Sequence, residues 1–207
     1  MVAIVDYGVG NLFSLESSFR AIGAEVTVTS DPQVLRSAER IVLPGVGAFE
    51  DASEKLLASG LGTVVIEEAR AGKPLLGICL GMQLLFERSF EYGEFSGLSL
   101  IEGEVRAISE VIPSGLKIPH IGWNALRLGE EKNELFKYIN EGDFVYFVHS
   151  FYGARCEGSV IATAEYGAPL TAAVAKGNVY GCQFHPEKSG RVGLNILKAF
   201  CEIGGRV

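Results

Sequence analysis

The segment Gly77-Ile78-Cys79-Leu80-Gly81 sets a thiol between two glycines, each two positions away. The apolar run Leu75–Ile78 precedes it, and Leu84 and Leu85 follow at helical spacing. A strand-to-helix turn of this composition suits a nucleophile. The central residue takes a strained conformation, and glycine on either side lets the backbones approach without a Cβ clash. The partial positive charge at the start of the following helix favours a thiolate, and the Leu80 N–H faces the place where an oxyanion would develop. The same pattern also admits a cysteine that merely packs between strand and helix. A nucleophilic thiolate needs a base, and the chain has three histidines, His120, His149 and His185. His185 closes the run Val179-Tyr180-Gly181-Cys182-Gln183-Phe184, and Glu187 stands two residues on. In extended backbone both side chains lie on one side of the strand, so the carboxylate could orient the imidazole. Pro186 favours extended geometry in the residue before it, consistent with a strand end at a sheet edge, where sites in α/β proteins gather. Taken alone, His-Pro-Glu would equally suit a surface turn.

The elements that must position these residues alternate between short β-branched runs and amphipathic windows, the pattern of a parallel sheet wrapped by helices. Val2–Asp6 reads as a buried strand, and Leu12, Leu15, Phe19 and Ile22 recur at helical spacing before Gly23, a left-handed cap. Glu25–Thr29 reads as a second strand, Ser30-Asp31-Pro32 as a helix start, and Arg40–Leu43 as a third strand ending in Pro44-Gly45-Val46-Gly47. Helices are predicted over 49–58 and 62–71, a strand over Leu75–Ile78 and a helix over Leu80–Glu87. Strands are predicted near 100–108, 120–128, 143–149, 158–164, 170–175 and 178–184, with a short helix over 133–139 and a last helix over 189–203. The second half is therefore β-rich and more antiparallel, and the chain reads as one domain spanning 1–207.

Composition excludes several classes. With 48% hydrophobic and 21% charged residues, there is enough apolar material for a core and too little charge to keep the chain unfolded. The net charge of −7 and the absence of a basic run argue against nucleic acid as a partner. No apolar stretch approaches the roughly 20 residues that span a bilayer, and the strand-like Val2–Val5 lacks an export signal. The four cysteines, Cys79, Cys156, Cys182 and Cys201, show no zinc spacing and are sparse for a disulfide scaffold, so a reducing, cytoplasmic setting is expected. Gly8-Val9-Gly10-Asn11-Leu12-Phe13 fails as a dinucleotide fingerprint because Phe13 stands where glycine is required, and no phosphate-binding loop is present. Neither a cofactor nor a metal is expected.

The arrangement of Cys79 within Gly77–Gln83 and of His185 and Glu187 within Gln183–Lys188, 106 residues apart from Cys79 to His185, resembles the catalytic triad of the class I glutamine amidotransferases. Within that family the chain is most similar to the glutaminase subunits of imidazole glycerol phosphate synthase, in histidine biosynthesis. The segments Asp6–Asn11, Pro44–Phe49, Pro119–Asn124 and Tyr146–Phe151 carry the narrower likeness.

The resemblance implies a flavodoxin-like amidotransferase fold with a mixed central sheet and flanking helices. It implies that Cys79 attacks the side-chain amide of L-glutamine, that His185 serves as acid and base, and that Glu187 orients His185. It implies an oxyanion hole from Leu80 and the Val46-Gly47 peptide, where glycine permits an amide flip. Gln83 and Glu91 would hold the polar end of the substrate, with backbone groups of Ser150 and Phe151 at its carboxylate; Phe151 stands where relatives often have tyrosine. It implies no cofactor, and a separate (β/α)8-barrel cyclase subunit that receives ammonia through a channel, with Asn11, His120, Trp123, Asn124 and Tyr146 as candidate docking residues. The competing readings are a glutaminase serving another synthase (anthranilate, aminodeoxychorismate or pyridoxal phosphate), a related PfpI-type cysteine hydrolase, and a non-catalytic scaffold. The run at 185–187 counts against the second, and the intact Cys, His and Glu against the third.

Overall fold

The structure, a computed structural model, describes residues 1–204. Strands and helices alternate at first: β1 (Val2–Val5), α1 (Leu12–Ala21), β2 (Val26–Thr29), α2 (Pro32–Ser37), β3 (Arg40–Leu43), α3 (Phe49–Ala58), α4 (Leu61–Arg70), β4 (Leu75–Ile78) and α5 (Leu80–Leu84). The start signal at Ser30-Asp31-Pro32 acts as the sequence predicts: Asp31 accepts from an N–H in the first turn of α2, and Pro32 opens α2 where no N–H is needed. Asn11, not read as a cap from the sequence, does the same for α1. Gly23 takes φ +79 just past α1, the left-handed turn that a Cβ would strain.

Strands dominate the remainder: β5 (Arg88–Ser89), β6 (Phe95–Ser96), β7 (Glu104–Ala107), β8 (His120–Leu128), β9 (Phe144–His149), β10 (Phe151–Ala154), β11 (Val160–Glu165), β12 (Pro169–Lys176) and β13 (Val179–Cys182), closed by α6 (Gly190–Glu202). Nine strands form one sheet in the order β2-β1-β3-β4-β13-β12-β11-β8-β9. From β2 to β13 the pairing is parallel, and from β13 to β9 it is antiparallel. A smaller sheet runs β10-β7-β5-β6.

Alternate residues of the parallel strands enter opposite cores. Ala3, Val5, Ile41 and Leu43 join Phe49, Leu56, Leu61 and Val65 from α3 and α4. Ile4, Val42 and Leu76 join Leu15, Phe19, Ile196 and Phe200 from α1 and α6. Each fully buried Phe or Leu there is worth about 1.5–3 kcal/mol relative to exposure. Sheet and helices thus hold the carboxyl ends of β3, β4 and β13 side by side.

The structure departs from expectation after Cys79. The helix predicted over Leu80–Glu87 stops at Leu84, because residues 98–101 take its last carbonyls. Leu98 N–H donates to Leu84 O, and Leu100 and Ile101 N–H to Leu85 O. Gly97 allows this approach, since a Cβ there would meet Phe86 O at 2.1 Å. The strand predicted over 100–108 shrinks to β7, the short helix over 133–139 is a 3-10 turn at Glu134–Phe136, and β5, β6 and β10 were not predicted.

Candidate active site

Cys79 follows β4 directly and opens α5 with φ 56 and ψ −114, a conformation that L-residues avoid unless their surroundings impose it. The surroundings do. The Cys79 N–H continues the parallel ladder by donating to Cys182 O at 2.7 Å, while α5 leaves at once beneath the Pro44–Gly47 loop. A Cβ on Gly81 would lie 1.9 Å from Leu43 O, one on Gly77 2.6 Å from Gly81 O, and one on Gly45 2.6 Å from the Gly81 nitrogen. The glycines at 77 and 81 are therefore required by close approach, and Gly45 seats the loop on the elbow. Leu80 occupies the first turn of α5, where N–H groups have no intrahelical acceptor. Gly47 stands in the same cleft with φ +93 and open space at its Cβ position.

His185 and Glu187 meet as expected, with Nδ1 and Oε1 2.8 Å apart and side chains 3% and 4% exposed. The route differs from the predicted strand. β13 ends at Cys182, His185 is extended, and Pro186 starts a 3-10 turn over Pro186–Lys188 that swings the carboxylate back to the ring. Nor is this a lateral edge, for β13 lies between β4 and β12. Ser189 fastens the turn by donating to His185 O and accepting from the Tyr146 N–H. Burial opposes charge on His185, but interactions with Cys79 and with Glu187 outweigh it and raise the imidazole to about 9. The second carboxylate oxygen of Glu187 is buried without a hydrogen-bond partner among the described residues.

A cleft of about 390 Å³ joins Cys79 and His185 to Gly47, Leu80, Gln83, Glu91, Ser150 and Phe151. Every residue assigned to catalysis, oxyanion or substrate other than Glu187 lines this one space, and Glu187 stands directly behind His185. Two have protein duties as well. Glu91 accepts from the Phe49 N–H at 3.0 Å and so caps α3, whose own Ala48 cap supplies no side-chain acceptor; burial pushes its carboxyl up, partly offset by that N–H. Gln83 Nε2 donates to Phe151 O at 3.1 Å and to Gln183 Oε1 at 3.0 Å, which leaves its own oxygen for a substrate amine. Sequence reasoning missed Tyr92, His149 and Lys188 on the rim and Gln183 behind the sulfur. Tyr92, with φ 56 and its ring edge-on to Phe151 at 5.8 Å, has no sequence signal. Gln183 had one: in the strand predicted over 178–184 it stands two residues before His185, on the same side.

The docking candidates divide. Trp123 is half exposed and pairs across β8 and β9 with Tyr146, the rings 6.0 Å apart, and Asn11 is exposed. His120 is a correction. It is buried, stacked 4.0 Å from Tyr166, and engaged at both ring nitrogens, to His149 Nε2 at 3.0 Å and to Asn124 Oδ1 at 2.8 Å. On β8 the apolar Ile121 and Trp123 face outward and His120 inward, so His120 presents nothing to a partner; it joins Asn124 to His149, whose Nδ1 donates to Phe151 O at 2.8 Å. Burial holds both rings toward the neutral form, His149 at about 4.

The family model for glutamine amidotransferase class-I matches residues 3–203. The chain is a class I glutamine amidotransferase. Among curated relatives of this amidotransferase, the imidazole glycerol phosphate synthase subunit HisH of Wolinella succinogenes is 48% identical over 99% of this chain and 100% of its own. The subunit of that name from Caldanaerobacter subterraneus subsp. tengcongensis is 47% identical over 98% of each chain, and one from Bacillus cereus is 50% identical over 97% of this chain and 93% of its own. A solved glutamine amidotransferase superposes on the amidotransferase with a TM-score of 0.76 at 20% identity, covering 98% of both chains. PurLQS from Thermotoga maritima does so at 0.75 and 19%, covering 97% of both. At those identities the likeness is one of fold. No helix among the described residues is long and apolar enough to cross a membrane.

Proposed function

We propose that this amidotransferase is the glutaminase subunit of an imidazole glycerol phosphate synthase, releasing ammonia from L-glutamine for a separate cyclase subunit in histidine biosynthesis. The observation that carries the reading is the near-complete, roughly half-identical match to subunits of that name. The geometry supports it: a strained cysteine and a histidine–glutamate pair share a cleft whose size suits a free amino acid.

Cys79 attacks the side-chain carbonyl carbon of glutamine. The oxyanion is held by N–H groups of Leu80 and the Val46-Gly47 peptide, each such donor being worth roughly 10²–10³ in rate. The C–N bond breaks as His185 gives its proton to the departing ammonia, leaving a γ-glutamyl thioester. His185 then removes a proton from water, which attacks the thioester; glutamate leaves and the sulfur recovers its electron pair. Glu187 keeps the ring aligned and balances its positive charge. Gln83, Glu91 and the backbone of Ser150 and Phe151 seat the amino and carboxylate groups.

The partner of this reading is a (β/α)8-barrel cyclase subunit in a heterodimer. In this reading Asn11, Trp123, Asn124 and Tyr146 contribute to the docking face, and exposed Ile118, Ile121 and Trp123 supply apolar surface that a partner would cover. The four cysteines are free, which supports the reducing cytoplasm as the place of work. The test is glutamate release from L-glutamine, with and without a cyclase subunit of that synthase and its nucleotide ligand, using Cys79→Ala as the blank. Hydrolysis that rises steeply with partner and ligand is expected; hydrolysis indifferent to that cyclase assigns the subunit to another synthase, and equality with the blank removes the catalytic reading.

A further inference from the structure

Gln183 follows β13, is wholly buried, and has no part in the reaction as written. The direction of its amide follows from a count of donors and acceptors. The Phe151 carbonyl oxygen only accepts, so the Gln83 atom 3.1 Å from it is the nitrogen. The other proton of that nitrogen points at Gln183, whose facing atom, 3.0 Å away, is the oxygen. Gln183 Nε2 is thereby turned to the opposite side, 3.9 Å from Cys79 Sγ. Reversing Gln183 alone would set two amide nitrogens face to face, and reversing Gln83 alone would set its oxygen against both the Phe151 carbonyl and the Gln183 oxygen. Both side chains are buried, so neither mismatch could be relieved by bulk water. A backbone carbonyl thus dictates, through two amides, that an N–H faces the nucleophile.

We propose that Gln183 is a positioning residue for the nucleophile: its N–H, aimed by Gln83 and the Phe151 carbonyl, steers the Cys79 sulfur and stabilises it as a thiolate. This rests on the reading of Cys79 as the glutaminase nucleophile. A buried anion is costly unless donors surround it, and hydrogen bonds to ionised groups are roughly twice as strong as neutral ones. The titratable groups facing the sulfur are His185 from the turn after β13 and Tyr7 from the loop after β1. Tyr7 spends its hydroxyl proton on Pro44 O at 2.7 Å, so Gln183 supplies a donor that Tyr7 does not. The sulfur sheds negative charge when the thioester forms and regains it when glutamate leaves, and a fixed N–H favours the second event. Because Phe151 also belongs to the segment assigned to the substrate carboxylate, seating of glutamine and aim of the N–H share one hydrogen-bonded chain.

The discriminating variant is Gln183→Glu, which keeps the shape and the acceptor for Gln83 but replaces the N–H facing sulfur with a carboxylate oxygen. Iodoacetamide alkylation of Cys79, followed by mass spectrometry across pH on the full chain, is expected to move to the alkaline side by about one pH unit. With the cyclase subunit present, kcat falls about tenfold or more while KM stays within about threefold. Gln183→Met, without donor or charge, shows the smaller shift in the same direction and carries the test if a thermal melt shows the Glu variant unfolded. A folded variant whose alkylation profile and kcat match wild type overturns the proposal and leaves Gln183 as packing that orients Gln83. If the wild-type complex shows no Cys79-dependent hydrolysis, the glutaminase reading fails separately, and the alkylation comparison still decides whether Gln183 governs the sulfur.

Discussion

Replacing Glu187 with Gln removes one charge and little else, and its effect on His185 is open to direct measurement because the chain has only three histidines. In the native fold the imidazole is raised from 6.5 to about 9. At about 1.4 kcal/mol per tenfold change in proton affinity, that amounts to about 3 kcal/mol of preference for the protonated ring, shared between Cys79 and Glu187 and net of the burial that opposes it. A raised value means that the folded protein holds the proton more tightly than the unfolded chain. The contribution is therefore complete below about pH 6.5 and is lost as pH rises through about 9. In Glu187→Gln the carboxylate 2.8 Å from Nδ1 is gone, burial remains, and His185 titrates lower by about one pH unit or more. Proton–nitrogen correlation spectra of histidine-labelled protein from pH 4 to 10 separate His185 from His149, which stands at about 4. Urea unfolding supplies the second reading: the wild-type advantage over Glu187→Gln, bounded by about 3 kcal/mol, is greatest at pH 6 and shrinks by pH 9.5. A wild-type His185 that titrates at or below 6.5, or one unmoved by the substitution, would refute the reasoning.

Gly81→Ala would press a methyl group onto Leu43 O, where the space is 1.9 Å; a cost of about 2–3 kcal/mol and loss of glutaminase activity are expected in urea melts and assays, and near-native stability would mean that the elbow yields. His149, lowered to about 4 by burial, contributes stability above its ordinary 6.5 that is lost as pH falls through about 4, so His149→Gln narrows the acid limb of the unfolding curve. Asn124 donates to Glu165 O and turns its Oδ1 to His120 Nε2, and two neutral rings offer two protons to three contacts that each call for one. An acid at this position supplies the charge for a third, and Asn124→Asp should raise the titration of His120 by about one pH unit in the same spectra. Trp123→Ala should weaken cyclase binding by about 2 kcal/mol or more, close to thirtyfold in Kd by calorimetry, and unchanged affinity would place the interface elsewhere.

The first four strands, the two-glycine elbow and the His-Pro-Glu run were legible because each signal is local. Strand and helix periods need only a few consecutive residues, and a glycine required by close approach leaves its mark beside the residue it serves. Where the chain was misread, a distant segment had intervened. Leu80–Glu87 keeps helical spacing, yet its carbonyls are taken by residues 98–101, and a hydrogen bond formed across the fold has no period to announce it. His120 stands amid Pro119-His120-Ile121-Gly122-Trp123-Asn124 and reads from the sequence, with Trp123 and Asn124, as a docking residue. The sheet turns Trp123 outward but His120 inward, where His149, Asn124 and Tyr166 surround it.

Residue types and spacing thus determined the chemistry on offer: a thiol in a strained turn, an imidazole, and a carboxylate two residues away. Only the tertiary structure decided that β4 and β13 lie side by side, which carries His185 to Cys79 across 106 positions and points the Gln183 amide at the same sulfur. The physical reason is that strand order and side-chain hydrogen bonding are settled by burial and by the pairing of every buried donor and acceptor, conditions that the whole chain must meet at once.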